Sequence, residues 1–322
     1  CLVGAAGALV VVPVYFFSDH ESRFGEFVRR QRDGVASLGV RQPNFRHNAR
    51  PMLDLRKEWL AAVASFGLLN ALLLVVNVVD IKWIWLGFEP APGFDLTQFV
   101  HAGTYVLIFS ILLAAGIMLW FFRRNLNFYR LGLPLLRWGA TLWVLQNGVL
   151  AISVGLRNYY YIVYTGLAYK RIGVYGFLLL TLFGLGTVLL KIWQRRSAFH
   201  LVRLNSWAAY ALLLGLAAGN WEIWIAEYNL QAGFPRIDIG FLLRMPARVL
   251  PVLAARQAVI DQAPQLVAED DNGYYHPLGK AEARKQLRQQ LAAFRHDYRK
   301  YDDWQSRTGA EWLAYKELSN HE

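Results

Sequence analysis

The sequence predicts an all-α protein, a polytopic bundle of about six transmembrane helices followed by a helical extramembrane tail. Hydrophobic residues make up 55% of the 322 residues, whereas charged residues make up only 18%. In soluble domains roughly a quarter of the residues are charged, so this chain has fewer of the residues that form a solvent-exposed surface. Uncharged apolar runs of about 20 residues recur along the chain. The single cysteine excludes a disulfide scaffold.

Six apolar runs are the candidate membrane spans. A helix needs roughly 17–25 apolar residues to cross a hydrocarbon core, and in lipid each backbone group must be paired within its own segment. The first run contains Pro13 and is expected to be short or tilted. The runs lie near residues 2–17, 60–79, 105–122, 135–156, 172–190 and 204–221. We therefore predict a transmembrane domain over residues 1–240 and an extramembrane helical tail over residues 241–322.

The beginning of the chain allows two interpretations. It opens at Cys1, and no basic region precedes the first apolar run, which fits a cleaved signal peptide poorly. Cys1 is either a lipid-modified residue or part of the interior of a longer protein, and we favour the second interpretation.

The basic residues predict the orientation. Alternate connections between the predicted spans hold 17 and 4 Lys and Arg residues. The basic set is expected to face the cytoplasm, since Lys and Arg are retained there. We expect the protein to lie in the inner membrane of a bacterium. With six spans, both ends of the chain would then be on the extracytoplasmic side. The formal charge of +11 fits loops beside anionic lipid headgroups and requires no nucleic acid.

Polar side chains inside two spans are the first set of candidate site residues. Amides at this depth commonly hydrogen-bond to a neighbouring helix, and the minority interpretation is a path for a substrate or ion. The set comprises Asn70, Asn77, Gln146 and Asn147.

A second set lies at the predicted outer face, in one aromatic connection and at the end of the sixth span. A plain interfacial aromatic belt is the default interpretation, and a groove that binds headgroups, glycan or a partner chain is the alternative. The set comprises Arg157, Tyr161, Tyr164, Lys170, Arg171, Glu222 and Glu227.

The tail contains one amphipathic helix, predicted over residues 280–300. Its apolar side chains recur at helical spacing and form a single stripe, which must cover the membrane domain or a partner subunit. The stripe comprises Leu287, Leu291, Phe294 and Tyr298.

No motif for chemistry stands out. The seven histidines are scattered without metal-ligand spacing, and neither a glycine-rich phosphate loop nor a nucleophile turn is present. We therefore expect no metal, no cofactor and no enzymatic activity.

One stretch resembles a known family. The segment Tyr161-Ile-Val-Tyr-Thr-Gly-Leu-Ala-Tyr-Lys-Arg-Ile-Gly-Val-Tyr175, followed by Asn205-Ser-Trp207 and Ala226-Glu-Tyr-Asn-Leu230, resembles the uncharacterised bacterial membrane family called domain of unknown function 4173, in its Bacteroidota-type members. The resemblance covers about residues 60–250. It implies a polytopic architecture with further spans before Cys1, and it implies no activity.

These observations favour a non-catalytic integral membrane subunit of a bacterial membrane protein assembly, in contact with lipids and, through the tail, with other membrane subunits. The alternative is a transporter or flippase for a lipid-linked or amphipathic substrate, using the intramembrane amides. A third interpretation is an enzyme that acts on lipid through Glu222 or Glu227, which would need paired acid and base groups.

Overall fold

The structure, a computed structural model, describes most of the chain after residue 54. The described residues are 55–86, 88, 96–121, 126, 132–231, 234, 236–269, 275–300 and 309–320. The span predicted at residues 2–17 lies outside them. The described chain forms two compact units, the first from residues 55–160 and 173–218 and the second from residues 161–172 and 219–320. The boundary expected at residue 240 stays a prediction.

Five long helices follow one another from residue 55 to residue 218. They are α1 (Leu55–Asp80), which continues as a π-helical turn (Ile81–Trp85), α2 (Leu96–Phe121), α3 (Leu133–Thr165), α4 (Tyr169–Gln194) and α5 (Ala198–Ala218). Among the described residues, four segments are long and apolar enough to cross a membrane: Arg56–Trp85, Leu133–Thr165, Tyr169–Gln194 and Phe199–Ala218. The described apolar part of α2 is shorter, Gly103–Leu113. The predicted helical, membrane-type fold is confirmed.

The helices differ from the predicted spans mainly at their ends. The helix α3 continues to Thr165, beyond residue 156, because polar and aromatic interfacial residues end the hydropathy signal without ending the backbone hydrogen bonds. The sixth predicted span covers residues 204–221, whereas α5 ends at Ala218 and a new helix starts at Trp221. Gly219 and Asn220 separate them, and Gly is a poor helix former.

Contacts join α2 to α3, and they show that α4 runs opposite to both α3 and α5. Ser110 of α2 donates to Asn147 of α3 at 3.2 Å, and Trp193 near the end of α4 donates to Thr141 near the beginning of α3 at 3.0 Å. Asn205 of α5 donates to Thr187 of α4 at 2.8 Å. The helices α1 and α3 run parallel, because Asn70 of α1 contacts Gly139 of α3 and, further along both helices, Asp80 contacts Arg157.

The first unit is apolar inside and outside. Its core includes Phe66, Leu107 and Trp143, each almost fully buried. Outward-facing side chains are also large and apolar, such as Leu68, which is 75% exposed. A helix that is hydrophobic on every side needs an apolar surrounding, so the outer faces of this unit are suited to contact with acyl chains.

The second unit is a mixed assembly of short elements and two longer helices. Its elements are α6 (Trp221–Asn229), β1 (Arg236–Asp238), α7 (Ile239–Leu243), a 3₁₀ turn (Ala247–Val249), α8 (Leu250–Ala255), α9 (Gln257–Gln262), β2 (Gln265–Glu269), β3 (Tyr275–Pro277), α10 (Lys280–Lys300) and α11 (Gly309–Asn320). The helix predicted at residues 280–300 is confirmed, whereas the strands were not predicted.

The three strands form one small sheet in the order β1-β2-β3. β1 pairs with β2 in parallel, with Ile237 opposite Leu266, and β2 pairs with β3 in antiparallel, with Ala268 opposite His276. The sheet has β2 at its centre, and Leu266 and Val267 of β2 are buried. This arrangement places the end of β1 directly before α7.

Candidate functional site

An amide ladder, formed by Asn70, Asn77 and Gln146, joins the parallel helices α1 and α3. Gln146 Nε2 donates to Asn70 Oδ1 at 2.7 Å, and Asn70 Nδ2 donates to the Gly139 carbonyl at 3.0 Å. Two turns further, Asn77 Nδ2 donates to the Gln146 carbonyl at 3.0 Å. Each amide thus meets a partner on the neighbouring helix, which is the packing arrangement expected of polar groups in lipid.

Two oxygen atoms of the ladder have no such partner. Asn77 Oδ1 and Gln146 Oε1 are buried and accept no hydrogen bond in the described structure. An unpaired polar atom in an apolar surrounding costs free energy, so these two atoms are the chemically unsatisfied part of the ladder.

Asn147 belongs to a different contact. It is fully buried, accepts a hydrogen bond from Ser110 of α2 and donates to the Trp143 carbonyl of its own helix at 2.9 Å. The four predicted intramembrane residues therefore hold α3 between α1 and α2.

A buried ion pair connects the same two parallel helices near one end. Arg157 Nη2 of α3 donates to Asp80 Oδ1 of α1 at 2.6 Å, and both side chains are largely buried. The Arg157 guanidinium also lies 4.7 Å from the Phe99 ring centre. Arg157 is one of the predicted outer-face residues, and in the structure it pairs two helices of the first unit, because Asp80 neutralises its charge there.

The turn clasp, formed by Gly166, Leu167, Arg171 and Asn229, fixes the α3–α4 turn within the second unit. Asn229 Oδ1 accepts from the Leu167 backbone N–H at 2.6 Å, and Asn229 Nδ2 donates to the Leu167 carbonyl at 2.8 Å. Gly166 has φ +86, and a Cβ atom there would lie 2.6 Å from Asn229 Oδ1. Arg171 donates to the Gly166 carbonyl and lies 4.2 Å from the Tyr161 ring centre.

A second contact of the same turn involves Glu222 of α6. Arg248 Nη2 donates to Glu222 Oε1 at 2.8 Å, with the carboxylate side chain only 12% exposed, and the Tyr169 hydroxyl hydrogen-bonds to Glu222. Tyr169 also packs edge-on against Phe241. Glu222 is therefore held by a cation and a phenol.

The other predicted outer-face residues do not converge on Glu222. Tyr164, Lys170 and Glu227 are exposed, and no hydrogen bond to the side chains of these three residues is found in the described structure. The predicted outer-face residues thus fall into four groups. Arg157 belongs to the first unit, Arg171 belongs to the turn clasp and contacts Tyr161, Glu222 forms an ion pair, and three residues are exposed.

A charged cluster beside the sheet was not predicted from the sequence. Asp238 Oδ1 accepts from the Phe241 backbone N–H at 2.9 Å and so caps α7. Burial raises the pKa of Asp238, and nearby Glu269 adds to that rise. Burial together with Asp238 and Glu269 raises the pKa of Tyr275. The short Asp-Ile-Gly sequence, a capping residue before a helix, is the signal that could have identified the cap.

The apolar stripe of α10 is largely covered by the chain itself. Leu287 is 4% exposed and lies in the core of the second unit, against which Leu291 and Phe294 also pack. Tyr298 stacks on Tyr315 of α11, with ring centres 4.1 Å apart. The expectation that this stripe must cover the membrane domain or a partner is thus corrected, since α10 packs within its own unit.

A cavity of about 430 Å³ lies where α10 meets α11 and the α7–α8 segment. Its lining is mostly apolar, with acidic residues and one amide among the polar groups; the lining includes Leu243, Leu250, Gln290, Asp297 and Glu311. No group of three or more His, Cys, Asp or Glu side chains that could hold a metal ion occurs within the described residues.

Comparison with known proteins assigns the family. The model of a domain of unknown function, DUF4153, matches residues 2–255. No curated protein and no solved structure matches the chain. The family number 4173 inferred from the motif is wrong, because a short motif does not separate two uncharacterised families, whereas the assignment to an uncharacterised family is confirmed. Since most of its length is matched, the chain belongs to the DUF4153 family.

Proposed function

We propose that the protein is a non-catalytic integral membrane subunit of a bacterial membrane protein assembly. The observation that supports this proposal best is the use of its intramembrane polar groups. Asn70, Gln146 and Asn147 bond to neighbouring helices, and Arg157 is paired with Asp80. Groups engaged in this way hold helices together, whereas a transport path or a catalytic site needs polar groups available to a substrate.

The non-catalytic part of the proposal is supported by the state of Glu222. A carboxylate that acts as general acid or base must reach its substrate, and this one is bound by Arg248 and Tyr169. Glu222→Gln combined with Glu227→Gln is expected to leave the lipid profile of the producing bacterium unchanged. A changed lipid profile, at normal protein level, would support the enzymatic alternative.

The second unit is the part that we assign to partner binding, and the candidate contact is the outer face of α11. Trp312 and Leu313 there are 50% and 54% exposed, while Ala314 and Leu318 face the core. Exposed aromatic and aliphatic side chains outside a membrane span are typical of protein contacts. This face replaces the α10 stripe as the predicted contact with other subunits.

Extraction of the full-length protein from its native membrane tests the proposal. The expected result is a particle in mild detergent that contains a second protein in fixed stoichiometry. Trp312→Ala with Leu313→Ala should release that protein, whereas Leu68→Ala, at an outward apolar position in α1, should not. A monodisperse monomer that carries only lipid would contradict the proposal.

The alternative function is a transporter or flippase for a lipid-linked or amphipathic substrate. The buried oxygens Asn77 Oδ1 and Gln146 Oε1, which accept no hydrogen bond in the described structure, favour it. It predicts that Asn77→Cys and Gln146→Cys, made after replacement of Cys1, react with membrane-impermeant thiol reagents from one side. Leu150→Cys, in the apolar core, is the unreactive control, and lack of reaction at both ladder positions would exclude a water-filled path there.

A further inference from the structure

The cavity where α10 meets α11 and the α7–α8 segment, which we call the α10 cavity, has no part in the function proposed above. Its volume of about 430 Å³ falls in the range of small-molecule sites, roughly 300–1,000 Å³. All ten of its lining residues belong to the second unit. Ala293 and Asp297 of this lining are exposed, so the cavity opens to the surface and a ligand can enter it.

The walls of the α10 cavity are mostly apolar. Leu243 and Leu250 belong to the core of the second unit, and Met245, Ala247 and Phe294 pack against that core. Such walls favour an organic ligand over a metal ion, because apolar side chains cannot replace the water that a hydrated ion loses on entry.

The charged residues of the lining are both acidic. They are Asp297 of α10 and Glu311 of α11. The helix α10 contains seven Lys and Arg residues and two acids, yet none of the seven lines the cavity, whereas one of the two acids does. A basic helix thus presents a carboxylate at this place, which favours a ligand with a positive charge.

Asp297 is the carboxylate on which the inference depends. Its side chain is exposed and, within the described part of the chain, makes neither a hydrogen bond nor an ion pair, so it is available to a ligand. Glu311 already has an interaction, and the inference does not require it to bind the ligand.

Aromatic side chains lie beside this carboxylate. Phe294 precedes Asp297 by three residues in α10, a spacing that places two side chains next to each other on one helix face. Phe294 and Tyr298 both line the cavity, and their ring centres are 6.0 Å apart. The face of an aromatic ring attracts a cation within about 6 Å of its centre, an organic ammonium in particular. The carboxylate and the rings together are suited to one positively charged group.

From these observations we infer that the α10 cavity is a binding site for a small organic cation, an ammonium or guanidinium that carries an apolar group. Asp297 pairs with the charge, the rings of Phe294 and Tyr298 lie beside it, and the apolar group contacts Leu243 and Leu250. The inference concerns this cavity alone and holds for either function proposed above.

Equilibrium dialysis of the full-length protein in phosphatidylcholine nanodiscs tests the inference, with empty nanodiscs as the blank. The two probes, 2-phenylethylammonium and 3-phenylpropanoate, share an aromatic group and differ in the sign of their charge. The cation is expected to bind about tenfold more tightly than the anion, because Asp297 and the ring faces attract the first and repel the second. Added NaCl should reduce this preference, since the carboxylate is exposed.

Three variants locate the site. Asp297→Asn should weaken binding of the cation about threefold, the effect expected of a solvent-exposed ion pair. Ala293→Trp should prevent binding of both probes, because the larger side chain occupies the cavity that Ala293 lines. Glu282→Gln, at the other acid of α10 and outside the cavity, is the matched control and should bind both probes as the unaltered protein does.

Any of three results would overturn the inference. The first is equal binding of the two probes by the unaltered protein, a measurement that does not depend on whether any variant folds. The second is undiminished binding of the cation by a folded Ala293→Trp variant, which would place the probe elsewhere. The third is a basic side chain of a co-purified protein inside the cavity, in a structure of the native particle, which would make the cavity a protein contact.

Discussion

At the residue scale, Gly166 is a position where the backbone conformation restricts the residue type to glycine. Its φ is +86, a conformation that residues with a side chain rarely adopt. A Cβ atom there would also lie only 2.6 Å from Asn229 Oδ1. Gly166→Ala is expected to destabilise the turn clasp by about 1–3 kcal/mol. Hydrogen exchange at the Leu167 amide should become faster.

The matched control for this change is Gly173→Ala in α4, where a Cβ would meet nothing within 4 Å. Alanine stabilises a helix relative to glycine by up to about 1 kcal/mol, so exchange there should be unchanged or slower. Equal effects of the two changes would mean that the clasp does not constrain the turn.

Asp238, which lies outside the candidate membrane spans, is expected to make the stability of the fold depend on pH. Burial raises the pKa of its carboxyl, so the folded protein binds the proton more tightly than the unfolded chain does. Its contribution to stability is therefore present below the ordinary aspartate pKa of about 4 and is lost as pH rises through the raised value.

Asp238→Asn keeps an oxygen that can cap α7 and removes the buried charge. The expected result is equal or greater stability at pH 7 and a smaller pH dependence above about pH 4, measured by thermal unfolding in detergent. Asp238→Ala should instead lose about 0.5–2 kcal/mol, since it removes the cap. A loss of stability at pH 7 in the asparagine variant would mean that the charged form stabilises the fold.

At the element scale, the amide ladder explains how α1 and α3 keep their register. A double-mutant cycle of Asn70→Leu and Gln146→Leu is expected to give a coupling energy of about 0.6 kcal/mol, and less than about 2 kcal/mol. The measurement is unfolding in mixed micelles. Asn70→Leu combined with Asn205→Leu, which removes the α4–α5 contact, should be additive, and coupling in that control would indicate a global effect.

The helix α10 offers a second test at this scale. Leu287→Ala should destabilise the second unit by about 2–5 kcal/mol, because it leaves a cavity in a core. Leu313→Ala, at a half-exposed position of α11, should change stability by less than about 0.5 kcal/mol. Urea denaturation followed by tryptophan fluorescence distinguishes the two, and an unaffected Leu287→Ala variant would contradict the intramolecular packing of the stripe.

The elements differ in how well the sequence predicted them. The apolar runs predicted the long helices because a membrane span requires about 20 consecutive apolar residues, and few other structures do. The strands were missed because β1 and β3 have three residues each, too few to show a period of two. Among the site residues, Asn70 and Gln146 can be predicted because amides are conspicuous in apolar runs. The contact of Arg248 cannot be predicted from the sequence, because its partner Glu222 lies 26 residues away.

At the scale of the whole molecule, the distribution of basic residues predicts the orientation. The connections with 17 Lys and Arg should lie in the cytoplasm, and the carboxyl terminus outside it. Alkaline phosphatase fused after residue 322 is expected to be active and green fluorescent protein fused there to be dark. Fusions at the α4–α5 turn should give the reverse, and fluorescence of the carboxyl-terminal fusion would contradict the prediction.

The turn clasp also has a consequence for the order of synthesis. Leu167 and Asn229 are 62 residues apart, and α4 and α5 lie between them. A growing chain that has just produced the α3–α4 turn must therefore add two more helices before the amide that pairs with this turn exists. Translation completes both hydrophobic segments before this part of the second unit can close.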